Sequence, residues 1–258
     1  MKNSLHNSLV VLFFSGYLIF TPLINVSNHN APETSVPSYL HGVGMSYAST
    51  SDLTTLGATW YLNWGSCSDS NCVPMTKTGT DPNLSKQYTQ PILFLNEPDG
   101  GPPTSNATSV SDAIKRYNTQ KAEYPHAKWV VGNIVVLQSD WLKQFHNTCH
   151  CSPYAWGAHA YFTNPTEMVK VENWLVNLHQ ATGGNYWITE WADTSGNVSD
   201  DKAFYAWMAS QPWIQRAAYY TNRVQGIESW YPSGWNVTLF NWADNNLTDI
   251  GIWFSETR

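Results

Sequence analysis

Between His41 and Thr221 the chain repeats one pattern eight times: a short apolar run, followed in most cases by a stretch of helical period. The runs are His41–Tyr47, Thr59–Trp64, Val73–Met75, Pro91–Glu97, Trp129–Val135, Ala155–Phe162, Tyr186–Ala192 and Arg216–Thr221. The longest lack polar alternation, as strands buried on both faces do. Val110–Tyr124, Asp140–His146, Met168–Gln180 and Asp200–Ala209 read as helices, with Ser139 as a cap, Pro125 and Gly183 as stops, and Thr248–Phe254 as a short final helix. Strands alternating with helices imply βαβ units and a parallel sheet. Eight such units imply a compact (β/α)8 TIM barrel in a single domain, with a doubly wound sheet as the alternative. The barrel would sit near the ~200-residue lower limit of that fold. Some helices must therefore be short or missing, and there is little room for one between the second and third runs.

Two runs end in a carboxylate. Ile92-Leu-Phe-Leu-Asn-Glu97 stops at Pro98, which has no N–H for a strand ladder and is expected to hold Glu97 extended. Tyr186-Trp-Ile-Thr-Glu190 is the second, 93 residues later. At ~30 residues per βα unit, the two acids fall on strands three apart, the fourth and the seventh, at one height. In a barrel the C-terminal ends of strands carry the active site. Two carboxylates facing one cleft suit glycosidic bond cleavage, which needs one protonated and one ionised. Asp99, Asp193 and Glu228 are rival acids; Asp99 and Asp193 lie past strand tips, where capping or binding is the expected role.

Composition narrows the ligand. Net charge is −6 with no Lys/Arg cluster, which disfavours nucleic acid and anionic lipid. The 14 Trp residues build a core, a sugar-binding surface or both, since indole faces pack on pyranose C–H faces. Lys2 precedes an apolar stretch, Leu9–Ile24, which is short for a membrane span and reads as an export signal. An uncleaved anchor is the alternative. Four cysteines, Cys67, Cys72, Cys149 and Cys151, fit an oxidising compartment. Local pairing and cross-pairing are both open, with zinc ligation a weaker competitor.

Leu95-Asn-Glu-Pro-Asp99, His159-Ala-Tyr161 and Trp187-Ile-Thr-Glu-Trp191, with Tyr61-Leu-Asn-Trp64 and Val73-Pro-Met75 upstream, resemble clan A glycoside hydrolases. More narrowly they resemble glycoside hydrolase family 128, whose members act on β-1,3-glucans. The resemblance runs from about Gly42 to Gly251. It implies Glu97 as acid/base, Glu190 as nucleophile and Asn96 as a hydrogen-bond partner of the sugar 2-hydroxyl. Retaining geometry would place the carboxyl groups ~5–5.5 Å apart. Two departures, Ala160 within His-x-Tyr and Trp191 after the nucleophile, bear on the glycan rather than on the reaction.

The expectations are these. Residues 1–27 are a signal peptide or anchor, 28–39 a flexible lead-in and 40–258 the catalytic domain. The protein is a secreted, retaining endo-β-1,3-glucanase, surface-anchored if the signal is uncleaved. Another endo-glycanase (mannan, xylan or 1,4-glucan) or a non-catalytic carbohydrate-binding barrel is the alternative. Glu97 and Glu190 are catalytic. Asn63, Trp64, Asn96, His159, Tyr161, Trp191 and Trp230 bind substrate, His159 and Tyr161 sharing strand parity so that either can orient Glu190. The aromatic stretch Trp230–Trp242 is expected to wall one side of the cleft. The partner is a polysaccharide or oligosaccharide, the chain is a monomer, and no metal or organic cofactor is needed.

Overall fold

The computed structural model describes residues 40–47, 49–78, 83–100, 107–226, 228 and 231–257. The expected signal, the lead-in and Trp230 lie outside them. The strands are β1 Gly42–Gly44, β2 Trp60–Leu62, β3 Met75–Thr76, β4 Pro91–Phe94, β5 Lys128–Ile134, β6 Ala155–Phe162, β7 Tyr186–Asp193 and β8 Ile214–Tyr220. All pair in parallel, in the order β2-β1-β8-β7-β6-β5-β4-β3. The two ends of this sheet meet just before β3. There the Tyr61 N–H donates to Asn71 O at 2.9 Å, and Tyr61 O accepts from the Val73 N–H at 2.8 Å. The fold is a nearly closed (β/α)8 barrel, not a doubly wound sheet.

Among the described residues six helices accompany it: α1 Thr50–Leu56, α2 Val110–Glu123, α3 Trp141–Cys149, α4 Pro165–Thr182, α5 Val198–Ala209 and α6 Asp249–Glu256. Among the described residues no helix follows β2 or β3, as the short spacing there requires. Local chemistry sets the boundaries. Asn164 caps α4 through the Glu167 N–H and Pro165 opens the helix, where a missing N–H costs nothing. The helix α1 was not expected, although Ser49 caps it through the Asp52 N–H and Gly57 ends it in the left-handed region. That Ser-x-x-Asp start and glycine stop are its sequence signature.

Apolar side chains fill two spaces. Inside the barrel lie Trp60, Leu62, Met75, Leu93, Val130 and Trp187. The Arg216 guanidinium covers the Trp187 and Trp60 rings at 4.5 and 5.3 Å. A Cβ on Gly42 would lie 2.2 Å from the Trp60 ring, so only glycine leaves room for that indole. Between sheet and helices lies the larger core, including Phe94, Tyr117, Phe145, Trp191 and Phe254. Cys67 pairs with Cys72 and Cys149 with Cys151, the local arrangement; no described cysteine is free.

Candidate active site

Glu97 and Glu190 meet at the C-terminal mouth of the barrel, and each arrives by a break in regular structure. On the first arm β4 ends at Phe94, and Leu95 and Glu97 take φ of 69° and 49°. Glu97 is therefore not extended before Pro98, contrary to expectation. Left-handed backbone on such residues costs ~1–3 kcal/mol and persists only where the surroundings over-determine it. Asn133 supplies that constraint. Its Nδ2 donates to Leu95 O at 2.8 Å and Phe94 O at 3.3 Å, and its carbonyl accepts from the Glu97 N–H at 2.9 Å.

On the second arm β7 is bulged. Ala158 pairs with Ile188 but His159 pairs with Glu190, so Thr189 is the extra residue. Trp187 faces the barrel interior and Ile188 the outer core. Plain alternation would then turn Glu190 outward. The bulge reverses this, sending Glu190 to the mouth and Trp191 to the outer core. A matching bulge in β5 centres on Asn133, between Gly132 and Ile134. The Thr189 hydroxyl donates to Asn133 Oδ1 at 2.9 Å, so the two bulges are tied together. Gly157 makes space for this, since a Cβ there would lie 2.1 Å from Asn133 Oδ1.

His159 lies between the acids. Its Nδ1 is 3.2 Å from Glu97 Oε1, and its Nε2 is 3.3 Å from Glu190 Oε1. Trp64 Nε1 donates to Glu190 Oε1 at 2.6 Å, and the Tyr161 hydroxyl donates to Oε2. Burial pushes the Glu190 pKa up, and Glu97 adds to this; His159, Tyr161 and Trp64 act against it. Burial opposes a charge on His159, but Glu190 and Glu97 outweigh it and raise its pKa. Burial and then Glu190 hold the Tyr161 phenol far above its usual range, so it stays a donor. One atom each from Glu97, His159 and Glu190 lies within 4.8 Å of the others, making them the cation-binding candidates among the described residues. Only the Nδ1 contact of His159, to Glu97, is a hydrogen bond; Nε2 is near Glu190 but is not hydrogen-bonded to it.

The acids open onto a cleft of about 610 Å³. It is lined by Asn63, Trp64, Asn96, Tyr161, Tyr220 and Trp235, with Lys77 at one edge. Neutral hydroxyl and amide groups beside indole and phenol rings, around paired carboxylic acids, describe a saccharide cleft.

The sequence model of the glycosyl hydrolase catalytic core matches residues 43–254. The chain belongs to this family. Among curated proteins none matches this glycosyl hydrolase. Among solved structures it resembles a family 128 subgroup I endo-β-1,3-glucanase of Amycolatopsis mediterranei, bound to laminaritriose. The TM-score is 0.65 at 17% identity, covering 84% of this chain and 98% of that one. It also resembles a subgroup VI exo-β-1,3-glucanase of Aureobasidium namibiae, with TM-score 0.63, 20% identity, and 84% and 96% covered. A third is a subgroup VII oligosaccharide-binding protein of Trichoderma gamsii, with TM-score 0.61, 16% identity, and 87% and 96% covered.

The glycosyl hydrolase fold brings most of the expected site residues together, with corrections. Asn96 Oδ1 is buried without a protein partner among the described residues, free for a sugar hydroxyl. Asn63 lines the cleft while its amide closes a turn to Ser66 O and the Gly65 N–H. Trp64 was expected as a sugar platform; it is also a direct donor to Glu190. His159 is 1% exposed and touches the acids, not the cleft surface. Trp191 is no platform: it is wholly buried, stacked on Tyr205 at 5.7 Å and edge-on to Tyr219. Asp99 caps the turn after β5, accepting from the Val135 and Val136 N–H groups. Asp193 ends inside β7, where it accepts from the Ser195 N–H at 2.8 Å. The sequence reading missed Asn133, Thr189, Lys77 and Tyr220. Tyr220 ends an apolar run and could have been found by the rule that placed the acids; a bulge leaves no such mark.

Proposed function

We propose that this glycosyl hydrolase is a secreted, retaining β-1,3-glucanase of family 128, acting in endo fashion. The observation that carries the reading is the Glu97–Glu190 pair. Their nearest oxygens lie within 4.8 Å across a saccharide cleft, close to the ~5–5.5 Å of retaining enzymes and well short of the ~6.5–9.5 Å of inverting ones. In this reading the Glu190 carboxylate, oriented by Trp64 and Tyr161, attacks the anomeric carbon. Glu97 gives its proton to the leaving oxygen. Water then enters, Glu97 takes its proton, and the bond to Glu190 breaks with net retention. The charge on Glu97 raises the Glu190 pKa, so the loss of a proton at Glu97 is felt at Glu190. Asn96 Oδ1 accepts a hydrogen bond from the sugar beside the reacting carbon.

Support for the linkage comes from the β-1,3-glucanases it resembles, which include both endo and exo enzymes. Export is supported by the apolar N-terminal stretch and by the two disulfides, which persist in oxidising compartments. The binding-protein relative favours a second reading, a barrel that holds oligosaccharide without cleaving it. Product analysis on laminarin, mannan and xylan separates the readings. Laminarin should be cut to mixed oligosaccharides whose new reducing ends first appear in the β configuration. Binding without cleavage would establish the second reading, and mannan or xylan cleavage would replace the linkage.

A further inference from the structure

A second hollow of about 400 Å³ lies between the loop after β1, the first turns of α1 and the segments that follow β8. Tyr47 and Trp242 form its wall, their rings 4.8 Å apart and inclined at 53°. Trp242 is 39% exposed, a large apolar surface left to water. Phe240 also lines it, buried under the Arg223 guanidinium at 4.7 Å. Arg223 is fixed in place: Nη2 and Nε reach the two Asp52 oxygens at 2.7 and 2.9 Å. That ion pair cancels its own charge, so the hollow offers nothing to an ionic ligand. Its remaining lining includes Ser51 and Thr55, neutral and exposed, and Asn245, whose Oδ1 accepts from Arg223 while its NH2 is left to the hollow.

We infer that this hollow is a second binding site for the glucan itself, holding neutral sugar rings of a chain that extends from the cleft. This rests on the reading of the cleft given above. Three observations carry it. Aromatic walls with a neutral polar rim are the chemistry of pyranose recognition, C–H faces on the rings and hydroxyls on the rim. The hollow adjoins the cleft through consecutive residues, since Ser46 lines the cleft and Tyr47 lines the hollow. Its wall is also prebuilt, because the Tyr47 hydroxyl is anchored on Glu228 Oε1 at 2.7 Å. A chain long enough to reach the hollow gains affinity from two sites on one molecule, while a short one fills the cleft alone.

Binding of laminarin and of laminaritriose to the Glu190→Ala protein tests this, with matching kinetics in the otherwise unaltered enzyme. Trp242→Ala should weaken laminarin binding roughly 3- to 10-fold, the scale of one aromatic contact, and raise KM for laminarin to match. Affinity and turnover for laminaritriose should stay within about twofold, since no contact in the cleft changes. Ser51→Trp, which fills the hollow and keeps the wall, should reproduce the selective loss. Unchanged laminarin binding in both variants overturns the inference, as does equal loss for long and short chains. Failure of the unaltered protein to bind or cleave laminarin overturns the reading of the cleft as well. Intact laminarin cleavage with indifferent variants overturns this inference alone.

Discussion

The two segments that carry the acids are held differently. The Glu97 tip is fixed through its backbone: its N–H and the carbonyls of Phe94 and Leu95 all engage Asn133. The Glu190 side chain receives hydrogen bonds from Trp64 and Tyr161, while the His159 hydrogen bond goes to Glu97. The difference bears on the roles proposed for the two acids. A nucleophile must stay ionised in a buried place, which takes donors on its oxygens. The proposed acid/base must change protonation within each cycle; Asn133 holds its backbone and His159 Nδ1 meets its side chain.

The sharpest test of this contrast is to remove each carboxyl. Glu190→Ala should abolish turnover on every glycoside while sparing glycan binding. Glu97→Ala should cost about 10²- to 10⁴-fold in kcat on laminarin but far less on an aryl glucoside whose leaving group needs no proton. Equal losses on both substrates for both variants would dissolve the division of roles. Next comes the backbone anchor. Asn133→Ala leaves two carbonyls and the Thr189 hydroxyl short of a buried partner, and should lower stability by about 2–4 kcal/mol in denaturant unfolding. Thr189→Val removes the link between bulges and a longer contact to Ala158 O, and should cost about 1 kcal/mol. Because both touch one bond, the double variant should lose less than the two losses added; strict additivity would show that the bulges stand independently.

Side-chain anchoring is tested by Tyr161→Phe. A hydrogen bond to a charged group is worth ~1.5–3 kcal/mol, so kcat/KM should fall about 10- to 100-fold. Tyr161 lowers the Glu190 pKa, so its removal should raise that pKa and move the acid limb of the pH–rate profile toward higher pH. A profile that keeps its acid limb would assign Tyr161 to packing. The smallest effect concerns Asp201, behind the site in α5. Burial pushes its carboxyl up to about 8, while the Asp193 N–H and the Tyr219 hydroxyl donate to it. The folded state holds this proton more tightly than the unfolded chain. Its contribution to stability is therefore complete below the ordinary aspartate range and is lost as pH rises through about 8. Asp201→Asn should flatten the fall in Tm between about pH 4 and 8; an unchanged slope would place the titration elsewhere.

The amino-acid sequence by itself determined the layers and the depth of the acids. Buried strands need unbroken apolar runs and helices need their period, so β6 reads from Ala155 to Phe162 as the structure has it. Asn96-Glu97-Pro98 stands past the tip of β4, where such a run stops; Glu190, expected at a tip, lies instead within β7, which runs on buried to Asp193. Only the tertiary structure decided which way the two acids turn. Strand parity alone sends Glu190 outward and offers Trp191 to the cleft. Two bulges, tied by Asn133 and Thr189, reverse this. A bulge arises from pairing between strands and from the space that Gly157 leaves across the barrel wall. The donors on Glu190 come from β6 and from the turn after β2, far apart in the chain. Periodicity records how a strand is buried; the partner that bends it lies on another strand.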